Sequence, residues 1–494
     1  MTRLVSGALA VALTLGAVAW SLGIAQILDW ALYTEQFAAA MLAACLALAF
    51  LHLPARRHAP KPFIPWYDWA LALAGAAAAM YIAVRFPHLV DIILLRPLDA
   101  VLAGSVLIVL LLEALRRGTG ITLPAIVAVF ILYALFADQM PGRLEGRATD
   151  WGKLASYLTI DLNGMLGLPL RIGTTIVVTF ILFGGLLGAT GGSRFFTELA
   201  LVTMGRFRGG SAKIAVVASA LFGSISGSAV ANVVATGVVT IPMIKRGGYA
   251  PHQAGAIEAV ASTGGQLMPP VMGAAAFIMA EFLQMPYSAV VLAALVPALL
   301  YYIALFIQAD LEAARMGISR VPEAEVPRWR DVLPGMHFFL PFVVLMAALF
   351  WWNEQPETAV LGSAATLIVS SLVFGYRGER PRLGPVLDTL RSTGIAVIEI
   401  ILITAAAGFV IGVLSISGLG FNLTLALVQL GGGNLVLLLL LAAAVCILLG
   451  MGLPTVGVYV LLAALVAPAM VEVGVHPVAA HLYVMYFGRR SMIT

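Results

Sequence analysis

Residues 211–242 read SAKIAVVASALFGSISGSAVANVVATGVVTIP, an apolar stretch that small and polar residues interrupt near its middle. A second apolar stretch, residues 434–470, is interrupted in the same way by the sequence GMGLPT at residues 450–455. Because glycine lets a chain leave helical geometry and proline removes an amide donor, both stretches are expected to break in mid-course. We interpret them as re-entrant hairpins, which enter a membrane and return on the same side.

The composition of the chain is that of a membrane protein. Of its 494 residues, 61% are hydrophobic and 11% are charged, whereas soluble domains carry about 25% charged residues. Lipid cannot form hydrogen bonds with backbone groups, so a chain in lipid must span it as helices or as a closed β-barrel. The apolar runs here are continuous and ~17–25 residues long, as in spanning helices, and lack the alternation of polar and apolar residues in barrel strands. The predicted fold is an all-α integral membrane protein, surrounded by lipid, with about 12 spans plus the two hairpins.

No sequence feature indicates an enzyme or a nucleic-acid-binding protein. The motifs GxSxG, HExxH and GxxxxGK[ST] are absent, so neither hydrolase chemistry nor ATP use is expected. The two cysteines, Cys45 and Cys446, lie inside apolar runs without metal-ligand spacing, which is typical of packing residues. The formal charge of +4 is modest, and we attribute the basic residues to membrane topology rather than to nucleic acid.

The basic residues fall on one side of the predicted layout. With the N-terminus in the cytoplasm, the basic clusters lie on the cytoplasmic side, as the positive-inside rule requires, and the loop 139–171 is the exception. The run 4–24 is interpreted as the first span, with a cleaved signal peptide as the alternative. The clusters lie at 56–61, 116–117, 194–213, 245–246, 315–330 and 377–382.

The chain contains an internal repeat, at about 172–307 and 394–494, with an offset of 226 residues. Since an odd number of crossings separates the copies, they are inverted, an arrangement typical of secondary transporters whose broken helices meet near the midplane. Chance alignment of glycine- and proline-rich sequence is the alternative. The matching pairs are Gly192 with Gly418, Phe195 with Phe421, Pro242 with Pro468, Gly248 with Gly474, Pro251 with Pro477 and Ala254 with Ala480.

The repeat register also predicts how the second copy should continue at the end of the sequence. In the first copy, residues 265–268 precede a helix-breaking proline pair, and the matching residues 491–494 are the last of this sequence. We therefore expect the second copy to be incomplete and the chain to be truncated. The register also sets Arg489 and Arg490 deep in the membrane, where each such charge costs about 2.5–3.5 kcal/mol. Two interpretations stay open, binding of an anionic substrate or an altered C-terminal end.

Polar residues at the break of the first hairpin are candidates for binding a small cation. Hydroxyl and amide oxygens, with unwound carbonyls in mid-membrane, suit Na⁺. Opposite them we expect residues 262–270, where a proline pair frees carbonyls one turn earlier. The alternative, close packing of small residues, explains the glycines and serines but not the prolines. The candidates are Ser226, Gly227, Ser228, Asn232, Gly264, Gly265, Met268 and Pro269.

The second hairpin has the same kind of break, with a threonine as its hydroxyl residue. Its partner segment is the one at the end of the sequence. The candidates there are Gly450, Gly452, Thr455, Ser491 and Thr494. Three carboxylates also lie within or near spans, where an ionisable residue is a candidate proton carrier or gate. Snorkelling or helix capping is the alternative for each of these carboxylates, Glu258, Glu281 and Glu399.

These residues resemble the membrane component of tripartite ATP-independent periplasmic (TRAP) transporters. The stretch from Gly205 to Phe282 is most similar to permeases in which the small and large subunits form one chain, the type commonly paired with TAXI binding proteins. The motif LGMGLPT at residues 449–455 and the stretch 479–494 fit the same family. The likeness covers nearly the whole chain.

The resemblance implies a division of the chain and a mechanism. Residues 1–118 correspond to the four-helix small subunit, a scaffold, and residues 119–494 to the large subunit, whose hairpins move as an elevator. A periplasmic substrate-binding protein delivers a small organic anion, typically a carboxylate, to this permease in the bacterial inner membrane. A Na⁺ gradient, or protons in some members, drives the symport.

The resemblance also assigns residues to two sites. Ser226, Ser228, Asn232, Gly264, Gly265 and Met268 form the first cation site by motif, with Ser228, Asn232, Gly264 and Met268 as the Na⁺ ligand candidates. Gly450, Gly452 and Thr455, with Ser491 and Thr494, form part of the second. No cofactor other than the coupling ion is expected. A carboxylate carrier independent of a binding protein, an ion channel and an inactive remnant stay open as alternatives.

Overall fold

The computed structural model describes residues 2–55, 64–378, 380–432, 434–451 and 453–491. Within these ranges the secondary structure is helical and contains no β-strand. The predicted all-α class is therefore confirmed. The helices, numbered in chain order, are α1 (Thr2–Ser21), α2 (Ile24–Ile27), α3 (Thr34–His52), α4 (Trp66–Ile92), α5 (Leu98–Thr119), α6 (Thr122–Leu135), α7 (Trp151–Ile160), α8 (Leu168–Thr174), α9 (Ile176–Ala189), α10 (Gly192–Met204), α11 (Gly210–Ser226), α12 (Ala229–Arg246) and α13 (Pro251–Gly265).

The remaining helices include the counterpart of the first hairpin. Short 3-10 helices lie at Ile93–Leu95, Ala137–Gln139, Gly142–Leu144, Glu323–Glu325 and Leu333–Phe339. The α-helices are α14 (Ala274–Phe282), α15 (Tyr287–Arg315), α16 (Trp329–Val332), α17 (Leu340–Phe350), α18 (Pro356–Phe374), α19 (Leu383–Ala396), α20 (Ile398–Ser417), α21 (Leu419–Leu430), α22 (Leu435–Gly450), α23 (Thr455–Leu465), α24 (Ala467–Glu472) and α25 (Pro477–Arg490). We call α11–α12 the first hairpin and α22–α23 the second hairpin.

Ten helical stretches of the described chain are long and apolar enough to cross a membrane, by length and composition. They include most of the predicted spans, from Leu4–Ser21 to Gly384–Ser417. Residues 252–283, which the apolar pattern predicts as one span, are instead divided into α13 and α14, because the glycine and proline residues between them end the first helix. The chain is a multi-pass membrane protein. The count of about 12 spans stays a prediction.

The described residues form two compact units. The first contains those up to 178 and those from 393 onward, and the second contains 179–392. These units follow contacts in space rather than order in the chain, since the first is built from both ends of the sequence. The predicted division at residue 118 rests on resemblance and stays a prediction.

Helix α20 lies at the centre of the first unit, where it packs against α3, α5, α6, α8 and α23. Its sequence is apolar on every face, which is typical of a fully buried helix. Close approach depends on glycine, because a Cβ on Gly408 would collide with the carbonyl oxygen of Gly164, and one on Gly173 would collide with Thr404. The backbones of α20 and its neighbours therefore pack in direct contact, as small residues permit in membrane proteins.

In the second unit, α11 packs against α10, α12, α13 and α15. Alanines on α11 and α15 allow this packing, among them the fully buried Ala212, Ala215 and Ala313. Helix–helix association in lipid depends on such van der Waals contact, since lipid tails are as apolar as leucine. The alanines of α11 therefore contribute to close packing in this unit.

Candidate cation and substrate site

The first hairpin turns at Gly227 and Ser228. Gly227 has φ +60°, a left-handed conformation that glycine adopts without strain, and its N–H bonds to the carbonyl oxygen of Gly223 at 3.2 Å. A Cβ at Gly227 would collide with the carbonyl oxygen of Met272. The Ser228 hydroxyl caps α12 by accepting from the Ala231 amide at 3.3 Å. This turn therefore requires a glycine followed by a capping residue.

Helix α13 stops at Gly265, and the chain stays irregular until α14 begins at Ala274. Val271 in this break donates its N–H to the carbonyl oxygen of Ser224 on the first hairpin at 3.0 Å. Gly273 donates to the carbonyl oxygen of Gln266 at 2.9 Å. The predicted break after α13 is thus present, and a backbone hydrogen bond joins it to the first hairpin.

The first hairpin and α13 also approach each other through two glycines. A Cβ built on Gly223 would lie 2.5 Å from the Cα of Gly265, a separation that two backbones without side chains tolerate and an alanine would not. The side chain of Asn232 lies beside both glycines, because its Nδ2 would be 2.6 Å from a Cβ on Gly223 and 3.1 Å from one on Gly265. The structure therefore brings together Asn232 and Gly265, two of the residues that the sequence singled out.

The residues predicted to form the first cation site have several protein partners. Asn232 is fully buried and donates its Nδ2 to the carbonyl oxygens of Ser219, at 2.9 Å, and Ser262, at 3.5 Å. The Ser226 hydroxyl donates to the carbonyl oxygen of Ser228 at 3.5 Å. Gly264 packs so closely on α15 that a Cβ would collide with the ring of Tyr301. Pro269 and the partly buried Met268 follow in the break. The assignment of these residues to a cation stays a prediction.

The second hairpin approaches α25 in a comparable way. A Cβ on Gly450 would lie 2.6 Å from the carbonyl oxygen of Gly488 and would collide with the hydroxyl oxygen of Ser491. Gly450 and Ser491 are thereby brought together, as the repeat predicted. Thr455 begins α23 directly after Pro454. The other two candidates, Gly452 and Thr494, lie outside the described residues.

A buried carboxylate on α13 forms a polar cluster that the sequence showed only in part. Glu258 is fully buried, and its two oxygens contact four hydroxyl groups from three helices. These are Ser219 at 3.2 Å, Thr236 at 2.6 Å, Thr240 at 2.5 Å and Ser262 at 3.1 Å. The i, i+4 spacing of Thr236 with Thr240 and of Glu258 with Ser262 places each pair on one helix face, and this signal was available in the sequence.

The other predicted carboxylates and the two arginines lie elsewhere. Glu281 is exposed at the end of α14, and Glu399 lies in the first turn of α20, where a negative charge suits the helix dipole. Arg489 is buried and Arg490 is exposed, both in the last turn of α25. A positive charge is favourable at that helix end. Both interpretations made from the sequence, anion binding and an altered end, stay predictions.

An apolar cavity of about 350 Å³ adjoins the break after α13. Its walls come from α10, α11, α17 and the break itself. Most ligand sites are apolar with a few polar groups that fix orientation, and here Ser224 is the polar residue among the lining side chains. The lining residues are Phe196, Ala220, Leu221, Ser224, Ile225, Met268, Pro269, Pro270, Phe339, Phe342 and Met346.

An ion-pair cluster joins α10 to the segment after α18 in the second unit. Glu198 accepts hydrogen bonds from Tyr376 at 2.5 Å, from Arg377 at 2.8 Å and from Arg194 at 3.0 Å. Burial disfavours the charged carboxylate, but these hydrogen bonds outweigh burial and lower the pKa of Glu198. Burial and the bond to Glu198 raise the pKa of Tyr376. The cluster therefore holds Glu198 ionised at neutral pH.

Comparison with known proteins connects this architecture to a family. The family described as "Tripartite ATP-independent periplasmic transporter, DctM component" matches residues 106–494. The chain belongs to this family. The recognition of a TRAP permease is thus confirmed, whereas the matched range begins at residue 106 and leaves the small-subunit assignment of residues 1–118 a prediction.

Three individual relatives share less than 30% sequence identity with this chain. The chain is 29% identical over 224 residues to "Uncharacterized protein YgiK" of Salmonella typhimurium, covering 43% of this chain and 48% of that protein. It is 26% identical over 310 residues to "C4-dicarboxylate TRAP transporter large permease protein DctM" of Pseudomonas aeruginosa, covering 62% and 70%. It is 24% identical over 233 residues to "Sialic acid TRAP transporter permease protein SiaT" of Haemophilus influenzae, covering 46% and 37%. The chain spans about half the length of the Salmonella relative.

Proposed function

We propose that this chain is a secondary-active uptake permease of the bacterial inner membrane that moves an organic anion of the carboxylate class. A periplasmic substrate-binding protein delivers the anion, and a Na⁺ gradient, or a proton gradient, drives an elevator-type movement. The N-terminus lies in the cytoplasm. The observation that carries the proposal is the pair of interrupted hairpins, each packed through a glycine against a helix 226 residues from its counterpart.

The first hairpin supplies the cation site in this proposal. Ser226, Ser228 and Asn232 offer hydroxyl and amide oxygens, and the last turn of α13 adds backbone carbonyl oxygens, each of which has two lone pairs. Oxygen atoms of this kind coordinate alkali cations in transporters with discontinuous helices. The corresponding site in the second hairpin uses Gly450, Thr455 and Ser491.

The names of two relatives support the proposed class of substrate. The Pseudomonas relative is named for C4-dicarboxylates and the Haemophilus relative for sialic acid, and both of these are carboxylates. We therefore propose a carboxylate for this chain as well. The apolar cavity beside the break would receive the carbon skeleton of the anion, with Ser224 as its polar contact.

Transport in proteoliposomes tests this function. The purified permease is reconstituted with and without a periplasmic binding protein of this family, and uptake is measured for a panel of labelled C4-dicarboxylates under an inward Na⁺ or proton gradient. We expect uptake only with both the binding protein and a gradient, and a loss of at least tenfold in Asn232→Ala. Gly255→Ala is the matched control, since nothing lies within 4 Å of the added Cβ.

Two results would contradict the proposal. Equal uptake without the binding protein would favour the independent carrier. Ion current that is indifferent to organic anion would favour the channel.

A further inference from the structure

Glu258 and the four hydroxyl groups around it, here called the Glu258 cluster, form a buried polar site in the second unit. Glu258 is fully buried between α11, α12 and α13, and its partners are four hydroxyl groups. Among the described residues, no ion pair involves this carboxylate. A buried negative charge without a cationic partner is costly, and a proton on the carboxyl group removes that charge.

Counting hydroxyl protons shows how the cluster accommodates that proton. A threonine hydroxyl can donate only one hydrogen bond. Thr236 lies 2.8 Å from the carbonyl oxygen of Asn232 and 2.6 Å from Glu258, and Thr240 lies 3.0 Å from the carbonyl oxygen of Thr236 and 2.5 Å from Glu258. When Thr240 donates to the backbone, the short contact to Glu258 requires Glu258 to donate.

The same cluster also satisfies the ionised carboxylate. Rotation of the Thr236 and Thr240 hydroxyls turns both protons away from the backbone and toward Glu258, while Ser219 and Ser262 continue to donate. The two carbonyl groups released in this way keep their bonds within α12, so no buried group loses its only partner. Gain and loss of one proton therefore needs hydroxyl rotation and no rearrangement of the helices.

An alkali cation fits this cluster poorly. The carboxylate oxygens and the two threonine hydroxyls are already in direct contact at 2.5 and 2.6 Å. Such distances are those of strong O–H···O bonds and leave no space for an ion between the oxygens. The Glu258 cluster is therefore not a metal-cation site, unlike the site proposed at the turn of the first hairpin.

The second copy of the repeat shows that the helical hairpin does not need these polar groups. At the register positions of Asn232, Thr236, Thr240 and Glu258, the second copy has Val458, Leu462, Val466 and Val484. All four are buried as well. Because replacing a polar cluster by apolar residues commonly preserves or improves stability, the retention of Glu258 in the first copy points to a role other than packing.

Other charged groups on the neighbouring helices have partners of their own or are exposed. On α11, Lys213 pairs with Asp310 of α15 at 2.6 Å. On α12, the basic residues stand exposed in the last turn, and on α13 His252 is exposed in the first turn. On α15, Glu312 accepts from Gln253 at 2.9 Å. The phenol groups of that helix donate to carbonyl oxygens of α13, from Tyr301 to Val260 and from Tyr302 to Ala261.

We propose that Glu258 binds and releases one proton in each transport cycle, with Thr240 and Thr236 as the hydroxyls that exchange hydrogen bonds with it. This proposal rests on the proposed transport function. It assigns the proton to a carboxyl group between the arms of the first hairpin and α13, so that movement of the hairpin changes the surroundings of the proton. Glu258 is a proton-binding residue and does not contact the organic anion.

The first measurement requires no transport. Infrared difference spectra between acidic and alkaline pH are recorded on the purified full-length permease, its Glu258→Gln variant and its Glu281→Gln variant. The amide that Glu258→Gln introduces retains hydrogen bonds to the hydroxyls but cannot titrate. We expect Glu258→Gln to lack one carboxylic-acid C=O band that the wild type and Glu281→Gln share. Identical wild-type and Glu258→Gln spectra would overturn the proposal.

A second variant covers a failure of Glu258→Gln to fold. Thr240→Val removes the hydroxyl at 2.5 Å from Glu258 and keeps the side-chain shape. We expect the same C=O band to remain and to shift in frequency, because the carboxyl group loses its hydrogen-bond partner. A band at the wild-type frequency in Thr240→Val would overturn the assignment to this cluster.

The second measurement uses proteoliposomes with the binding protein. We expect Glu258→Gln to lose at least tenfold of the accumulation driven by a pH gradient, while exchange of labelled for unlabelled dicarboxylate, which needs no net proton release, stays within about twofold of the wild type. Accumulation at the wild-type level in Glu258→Gln would overturn the proposal. Absence of uptake by the wild-type protein would instead contradict the proposed function, and the infrared result would stand independently.

Discussion

In the first copy of the repeat, α12 begins at Ala229 and α13 at Pro251; in the second copy, α23 and α25 begin 226 residues later, at Thr455 and Pro477. Both copies bring a hairpin glycine against the following helix, and in each the added Cβ would overlap backbone atoms. The interior of the first copy nevertheless holds a carboxylate with four hydroxyls, and that of the second is apolar at the matching positions.

The comparison of the two copies distinguishes residues that set the backbone geometry from polar residues that the geometry does not need. Glycine and proline set where the helices break and how closely they approach, and each copy has such residues at its hairpin, at different register positions. The cluster of one carboxylate and four hydroxyls lies in only one copy, so the architecture does not depend on that cluster. Substitutions at the closely packed glycines of either copy should therefore have comparable effects, and substitutions in the Glu258 cluster should affect the first copy only.

The largest effect is expected where two backbones meet. Gly265→Ala places a Cβ 2.5 Å from the Cα of Gly223, and neither backbone can give way as a flexible side chain would. We expect a loss of about 3 kcal/mol in stability, since overpacking at a rigid contact forces the backbone to shift. Gly450→Ala should show a comparable loss in the second copy. Thermal unfolding of the detergent-purified protein measures both.

Gly255→Ala is the control for these variants on the same helix as Gly265. Its added Cβ meets nothing within 4 Å, and alanine is favoured over glycine in a helix by about 1 kcal/mol. A midpoint equal to or above that of the wild type is expected. If Gly265→Ala unfolded at the wild-type temperature, the close approach of the two glycines would be refuted.

A smaller, pH-dependent effect is expected at Glu198, whose register position in the second copy is the uncharged Thr424. Although Glu198 is largely buried, hydrogen bonds from Tyr376 and Arg377 lower its pKa, so its contribution to stability is present above the ordinary glutamate pKa of about 4.3 and is lost as the pH falls through the lower folded-state value. Glu198→Gln should destabilise by about 2 kcal/mol at neutral pH, with the difference from the wild type shrinking in acid.

The measurement is the unfolding midpoint of both proteins from neutral pH to below pH 4. Glu323→Gln is the matched control, because the Glu323 side chain is 82% exposed and lies 3.5 Å from Arg320 in a surface pair. Such pairs contribute about 0–1 kcal/mol. A difference between Glu198→Gln and the wild type that did not change with pH would show that Glu198 acts by shape and not by charge.

A third variant affects the second copy alone. Tyr459 contacts His481 Nδ1 through its hydroxyl at 2.8 Å, and the matching positions of the first copy, Val233 and Gly255, cannot form such a pair. Tyr459→Phe removes the hydroxyl and should cost about 1 kcal/mol, as for a buried hydrogen bond. We expect a lower unfolding midpoint and an unchanged infrared band of Glu258. A change in that band would show that the two copies do not act separately.

The smallest effect is expected at the cap of the first hairpin. Ser228 caps α12 with its hydroxyl, and Pro454 occupies the matching position before α23 without a side-chain cap. Ser228→Ala should cost about 0.5–1 kcal/mol, and Ser228→Asn, which also caps, should cost less. Unfolding midpoints of the two variants test this order. The reverse order would mean that the hydroxyl has a role other than capping.

Much of the fold could be predicted from the sequence because lipid restricts the backbone to few structures. A backbone in lipid must form helices, so the apolar runs predicted the all-α class, and glycine with proline predicted the break between α13 and α14. The contact between Asn232 and Gly265 was anticipated because both residues interrupt apolar sequence. The distances between helices were not, since they depend on side chains far apart in the chain.

Local chemistry along the chain thus determined the helices, their breaks, the repeat register and the family of this protein. The tertiary structure alone decided that Glu258 meets hydroxyls from three helices. Each of those hydroxyls is an ordinary helix residue in the sequence, because Ser and Thr can bond within their own helix. Only the packing of α11 and α12 on α13 directs them to one carboxylate, and a pattern within a single helix does not contain that information.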